Sequence, residues 1–288
     1  MRELRILKPI AKLEDVEALD AIVTPAKKLV VGLLSKSRTV EDVLHGTPIG
    51  HPLHPLLILV PAGAWVSAAV LDLIPGTERA ARILVGAGLL AAVPTVATGE
   101  ADWSRLHEQQ MRVGVIHATA NLTAVGLYTA SWLARRSGAP VLGKALGFLG
   151  FGAVTAGGYL GGHLSFGHGV GVNHAFLQRG PDEWTEVLPA ADLEAGTPRR
   201  VDVGDATVLL VRRGEEVLAI GSRCTHAGGP LEEGTVDPRE GTVECPWHQS
   251  VFRLDDGSVV HGPASVPEHA YDVRVRHGAV ELRRRAAP

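Results

Sequence analysis

Cysteine, aromatic side chains and an excess of either charge are all scarce in this chain. Cysteine occurs twice in 288 residues, too few for a disulfide framework or for a metal site built from four thiolates. Lys and Arg number 28 against 31 Asp and Glu, so there is no basic surplus to hold a nucleic acid, and none is expected as a partner. Aromatics make up 5% while hydrophobic residues reach 45%, so the apolar content is aliphatic and small, and it is concentrated before residue 170. A cleaved leader is not expected either. Glu14, Asp15, Glu17 and Asp20 interrupt the first apolar stretch, and no arginine pair precedes a hydrophobic run.

What is present before residue 170 is four long apolar runs, at 56–74, 80–98, 113–134 and 141–164. Each is near or above the ~20 residues a helix needs to cross the hydrocarbon core of a bilayer. The third carries no Asp, Glu, Lys or Arg, and the others carry one each near an end: Asp72, Arg82 and Lys144. Buried helices of a soluble protein would show a polar stripe or be shorter. Four transmembrane helices are expected. In the last run Gly143 and Gly147, Gly157 and Gly161, and Gly158 and Gly162 lie four apart, a spacing that lets helix backbones approach closely in lipid. Residues 1–50 carry eight Lys or Arg against seven acids, and Arg105 and Arg112 follow the second run. That bias places both termini on the cytoplasmic side.

After residue 180 the pattern changes to short alternating segments. Strands are expected at 200–203, 207–212, 216–220, 242–245, 251–254, 271–276 and 279–282, with Gly and Asp at the turns. Residues 181–288 hold 12 Lys or Arg and 19 Asp or Glu, an ordinary solvated surface or one suited to a basic redox partner. Both cysteines fall here, in Cys224-Thr-His226 and Cys245-Pro-Trp-His248, with eighteen residues between the two pieces. Each piece pairs one thiolate with one imidazole. Two thiolates on one iron and two imidazoles on the other is the ligand set of a Rieske 2Fe–2S centre. A structural zinc also accepts mixed sulfur and nitrogen ligands, although zinc knuckles usually gather two cysteines in one loop.

The flanks, Cys224-Thr-His-Ala-Gly-Gly-Pro-Leu231, Cys245-Pro-Trp-His-Gln-Ser-Val-Phe252, Asp256-Gly-Ser and Gly262-Pro-Ala264, resemble the cluster loops of the Rieske ferredoxin family over residues 184–285. The resemblance implies single-electron transfer, with Cys224, His226, Cys245 and His248 as the cluster ligands. Relatives in cytochrome complexes carry a disulfide bracing the loops; the corresponding positions here are Gly229 and Trp247. High-potential relatives also use a serine and a tyrosine after the last histidine. This chain keeps Ser250 and has Phe252, which points to the lower or middle part of the roughly −150 to +300 mV Rieske span. Gln249 stands where the family commonly has glycine, so a different loop tip is expected.

The apolar half has a second motif set: His51-Pro-Leu-His54-Pro, Thr98-Gly-Glu100-Ala-Asp102-Trp103, His107, His117 with Asn121, and Gly157-Gly-Tyr-Leu-Gly-Gly-His163, followed by His168 and His174. It resembles a family of small bacterial four-helix membrane domains with no assigned activity, over residues 45–175. Tracing four crossings brings these histidines to one membrane face, and three readings stay open. His117 and His163 could be axial ligands of haem b. A metal could sit with Glu100 and Asp102. Or the histidines cap helices and satisfy the interface, with Pro55 suited to a first helical turn.

The expected architecture is therefore multidomain, an α-helical four-transmembrane bundle followed by an all-β Rieske domain. Its parts are an amphipathic cytoplasmic segment at 1–48, the membrane domain at 49–169, a linker at 170–182 and the 2Fe–2S domain at 183–286. The expected role is a membrane-anchored electron carrier in the bacterial inner membrane, with the Rieske domain cytoplasmic. Its partners would be a reductase or oxidase and the lipid bilayer. The alternatives are an oxidoreductase subunit acting on quinone or haem, or a redox sensor; no complete catalytic site for an enzyme is recognised.

Overall fold

The computed structural model describes residues 10–285, so the expected segment ends at 1–9 and 286 lie outside the described residues. The chain divides into two compact units. One takes the described residues up to Ser37 together with Leu53–Val170, and the other takes Arg38–Pro52 together with the chain from Gly171.

The first unit is helical. After α1 (Asp20–Leu34), the short α3 (His54–Leu57) leads directly into α4 (Leu59–Leu71), followed by α5 (Glu78–Trp103), α6 (Glu108–Arg136) and α7 (Pro140–Gly162). The helix α2 (Arg38–His45) belongs to the other unit. Among the described residues three stretches are long and apolar enough to cross a membrane: His54–Leu71, Glu78–Trp103 and Pro140–Gly167. Four were expected. Helix α6 has the length, but His117, Thr119, Asn121, Thr123, Thr129 and Ser131 make it less apolar than its neighbours. It packs along α7, as α4 does along α5, and contacts of α5 with α6 and of α4 with α7 close the ring.

The bundle turns many large aliphatic side chains outward. Leu59, Val70, Ile83, Leu90, Val93, Leu122, Val141 and Leu149 are all exposed, the reverse of a water-soluble bundle. Inside, the rings of Trp65 and Tyr128 stack with centroids 4.3 Å apart. The α6–α7 seam is built on glycine: a Cβ at Gly143 or Gly147 would press on Arg135, at Gly150 on Tyr128, at Gly157 on Asn121 and at Gly161 on His117. Gly158 is open to space and Gly162 meets only Phe166, so two of the three expected glycine pairs serve this seam. The N-terminal segment is tied to the bundle by Arg112, which donates to both carboxylate oxygens of Asp20 (2.8 and 2.7 Å) and to the Glu14 carbonyl (2.9 Å).

The second unit is all-β apart from α2. Its antiparallel sheets have the orders β1-β10-β9, β2-β3-β4 and β5-β6-β7-β8. The strands are β1 (Thr185–Pro189), β2 (Arg199–Val203), β3 (Ala206–Arg213), β4 (Glu216–Gly221), β5 (Thr235–Asp237), β6 (Thr242–Glu244), β7 (Val251–Arg253), β8 (Val259–His261), β9 (Tyr271–Arg276) and β10 (Ala279–Arg284). The β9–β10 hairpin turns through His277 and Gly278, both at positive φ, as a tight primed turn requires. Val208, Leu210, Val280 and Leu282 fill one core. Leu209, Ile220, Val243, Phe252 and Leu254 fill the other, which also contains both cysteines.

Candidate metal centre

Two loops of one design carry the four candidate ligands. The first follows β4. There the Cys224 N–H donates to the Gly229 carbonyl (2.8 Å) and the Gly228 N–H donates back to the Cys224 carbonyl (2.7 Å). The second joins β6 to β7 and repeats the pattern: Cys245 N–H to Ser250 O (2.8 Å) and Gln249 N–H to Cys245 O (3.1 Å). In each loop the residue before the closing carbonyl is left-handed, Gly228 at φ 80° and Gln249 at φ 65°. The glutamine therefore keeps the backbone that glycine would adopt. Since a side chain in this region costs about 1 kcal/mol, Gln249→Gly should raise the unfolding free energy by roughly that amount. Thermal melting of the purified protein in detergent checks this.

Both sulfurs are buried, 1% and 2% exposed, and neither is in a disulfide. The Cys224 thiol bonds to Cys245, which draws Cys245 down to about 7, helped by the N–H groups of Trp247 and His248 aimed at its sulfur. The same bond, with burial, pushes Cys224 well up, while the His226 N–H is aimed at its sulfur. Backbone donors thus favour a thiolate in both loops. Beside the sulfurs, the His226 and His248 rings meet edge to face with centroids 5.0 Å apart and both Nδ1 atoms buried. Gly229 is required by this packing: a Cβ there would stand 2.9 Å from the Cys245 sulfur and 3.1 Å from the Trp247 ring. The two positions that the family resemblance relates to a bracing disulfide are therefore in contact as glycine and indole.

A buried acid, which sequence reading did not single out, backs the first loop. Glu268 Oε1 accepts the Thr225 N–H (2.7 Å), and the Thr225 hydroxyl donates to the Val266 carbonyl (2.7 Å). Burial pushes the Glu268 carboxyl well above its ordinary range. A raised carboxyl favours the fold in its protonated form. That contribution is full below the ordinary carboxyl pKa and is lost as pH rises through the raised value. Glu268→Gln should therefore flatten the fall in melting temperature between mildly acidic and neutral pH, which a melting series across that window would measure.

The histidines of the helical unit divide into local groups. His117 Nδ1 donates to the Gly157 carbonyl (2.8 Å), and Asn121 Nδ2 lies 3.2 Å from its Nε2. His54 Nδ1 bonds the Thr95 carbonyl (2.9 Å). His163 Nε2 lies 3.2 Å from His168 Nε2, which also meets Glu14 (3.0 Å). His107 caps α6 in a reciprocal box with Gln110. His117 and His163 thus each have their own protein partners, and this arrangement lends haem no support. Among the described residues of the helical unit no three His, Cys, Asp or Glu side chains gather as a metal ion would need, Glu100 and Asp102 included.

An all-β unit presenting matched Cys-His loops, joined to a unit of long apolar helices, defines a two-part class. Comparison with known sequences identifies both parts. The sequence model of the Rieske [2Fe-2S] domain matches residues 183–276, and that of a predicted membrane protein family (DUF2231) matches residues 50–174. Ferredoxin CarAc of Metapseudomonas resinovorans is 37% identical over 98 residues, 34% of this chain and 90% of that protein. Apoptosis-inducing factor 3 of Mus musculus is 36% identical over 97 residues, 34% of this chain but only 16% of its own length. Among solved structures, a complex of reduced oxygenase and oxidized ferredoxin in carbazole 1,9a-dioxygenase matches at 33% identity and TM-score 0.34, over 37% of this chain and 99% of the matched chain. The chain belongs to the Rieske ferredoxin family.

Proposed function

We propose that this chain is a membrane-anchored Rieske iron–sulfur protein that carries single electrons, with Cys224 and Cys245 on one iron and His226 and His248 on the other. The observation that carries this reading is the repeated loop, which sets a buried thiol pair beside an imidazole pair. The donor set fits the cluster. Each sulfur has at least one backbone N–H aimed at it, Gly229 leaves room, and two thiolates with two imidazoles are the ligand set a 2Fe–2S centre of this type would take. Once bound, the cluster supplies reversible one-electron exchange. The protein holds the thiolates dry and leaves the two imidazoles half-exposed, where a partner can approach. A redox partner protein, reductase or oxidase, is supported by a relative named as a dioxygenase ferredoxin subunit.

The helical unit is the anchor in this reading. Helix α6 is joined to α5 and α7 by connections of a few residues, so it runs back across the thickness its neighbours span, and its 29 residues reach about 44 Å. Four crossings with the charge bias of residues 1–50 favour both termini and the β unit on the cytoplasmic side of a bacterial inner membrane. The test is an EPR spectrum of dithionite-reduced protein in detergent beside the oxidised optical spectrum. A rhombic signal with an average g below that of all-cysteine ferredoxins is expected. An EPR-silent protein holding stoichiometric zinc and no iron would overturn the reading.

A further inference from the structure

The segment between α1 and α3 behaves unlike an ordinary surface helix. Helix α2 turns its polar side inward: Glu41 and His45 are buried at 4% and 1%, while Val40 and Val43 are about half exposed. Burial of apolar surface does not hold it in place, so its position rests on specific polar contacts. Those contacts converge on one loop of the β unit. Asp42 accepts the Gly262 N–H on Oδ1 (2.9 Å) and meets His261 Nδ1 with Oδ2 (2.9 Å). Just beyond α2, the Thr47 hydroxyl donates to the Ala264 carbonyl (3.3 Å). The approach is close enough that a Cβ on Gly262 would stand 2.8 Å from Thr47 Oγ1 and 3.4 Å from the His45 Cβ.

That loop leads to the second cysteine. The Ala264 N–H donates to Ser250 Oγ (2.9 Å), and the Ser250 carbonyl accepts the Cys245 N–H (2.8 Å). Ser250 is fully buried. Its hydroxyl oxygen thus ties residues 261–264 to the loop that carries Cys245. We propose that Asp42 is a positioning residue for the iron–sulfur centre: by fixing residues 261–264 it orients the Ser250 hydroxyl and so helps set the reduction potential. The upstream segment is thereby a working part of the cluster module. This inference rests on the Rieske reading above.

The test is a mediated redox titration of the full-length protein in detergent, followed by the EPR signal of the reduced cluster. Hydrogen bonds to cluster sulfur favour the reduced state, so Asp42→Ala should lower the potential. The expected shift is about tenfold in the oxidised-to-reduced equilibrium, ~59 mV for one electron. Asp42→Asn keeps an oxygen for the Gly262 N–H and should stay close to wild type. Ser250→Ala should lower the potential by itself, and adding Asp42→Ala to it should change nothing further. If Asp42→Ala cannot retain a cluster, Thr47→Val replaces it and should give a smaller shift of the same sign. A wild-type potential in Asp42→Ala, or additive effects of Asp42→Ala and Ser250→Ala, overturns the proposal. A wild-type protein that binds no cluster defeats the Rieske reading instead.

Discussion

Cys245→Ser should yield a chain that still folds but binds almost no iron, with loss of the visible absorption and of the reduced-state EPR signal. The serine can keep the loop, because the bonds that shape it are backbone ones: Cys245 N–H to Ser250 O and Gln249 N–H to Cys245 O. What it cannot keep is the anion. The Cys245 thiol is drawn down by Cys224 and by two N–H groups, so its surroundings favour the thiolate. A serine hydroxyl in the same cradle stays protonated and offers iron a poor ligand. Iron per chain should fall at least about tenfold, the low end of what losing even an outer partner of a metal site costs. Melting temperature should fall too, since a group that binds only the folded state stabilises it. Iron analysis and melting of both proteins in detergent check the two halves separately. Undiminished iron in Cys245→Ser would remove this cysteine from the ligand set.

The candidate site is legible in the sequence because the chemistry of a Rieske cluster would dictate residue types at short range. A thiol and an imidazole two or three residues on fit into one loop, and the loop occurs twice. The longer strands were legible for a similar reason: Ala206–Arg213, Tyr271–Arg276 and Ala279–Arg284 alternate or run apolar through a core. Strands β1, β5 and β8 were not expected: β1 exists through pairing with the distant β10, while β5 and β8 are three-residue edges that form by pairing with β6 and β7. The role of residues 38–50 was hidden altogether, because its contacts join residues 219 and 220 positions apart. Helical spacing put His117 and Asn121 on one face but could not show that the imidazole is already engaged by Gly157 and Asn121.

The second large effect concerns Asp72, noted in the sequence only as a charge near the end of an apolar run, and Arg135, which the sequence did not single out. Arg135, in the last turn of α6, donates to both oxygens of Asp72 at the end of α4 (2.7 and 2.5 Å), with side chains 4% and 2% exposed. Ionisable groups inside a membrane domain often mark a functional path, but this pair is saturated. The guanidinium also bonds the Ser131 hydroxyl (3.1 Å) and the Gly143 carbonyl (3.2 Å), while Gly143 and Gly147 of α7 clear the space for it. Its place at a helix C-terminus adds a favourable interaction with the helix dipole. Arg135→Ala should therefore destabilise the helical unit by about 3–5 kcal/mol, because it leaves the Asp72 carboxylate buried and unpaired. The double change Asp72→Leu with Arg135→Met should recover most of that loss, since two apolar side chains carry no desolvation penalty. Unfolding of the four proteins of this cycle in detergent gives the coupling directly. A single variant as stable as wild type would mean that water reaches the pair and that charge does not hold α4, α6 and α7 together at this end of the bundle.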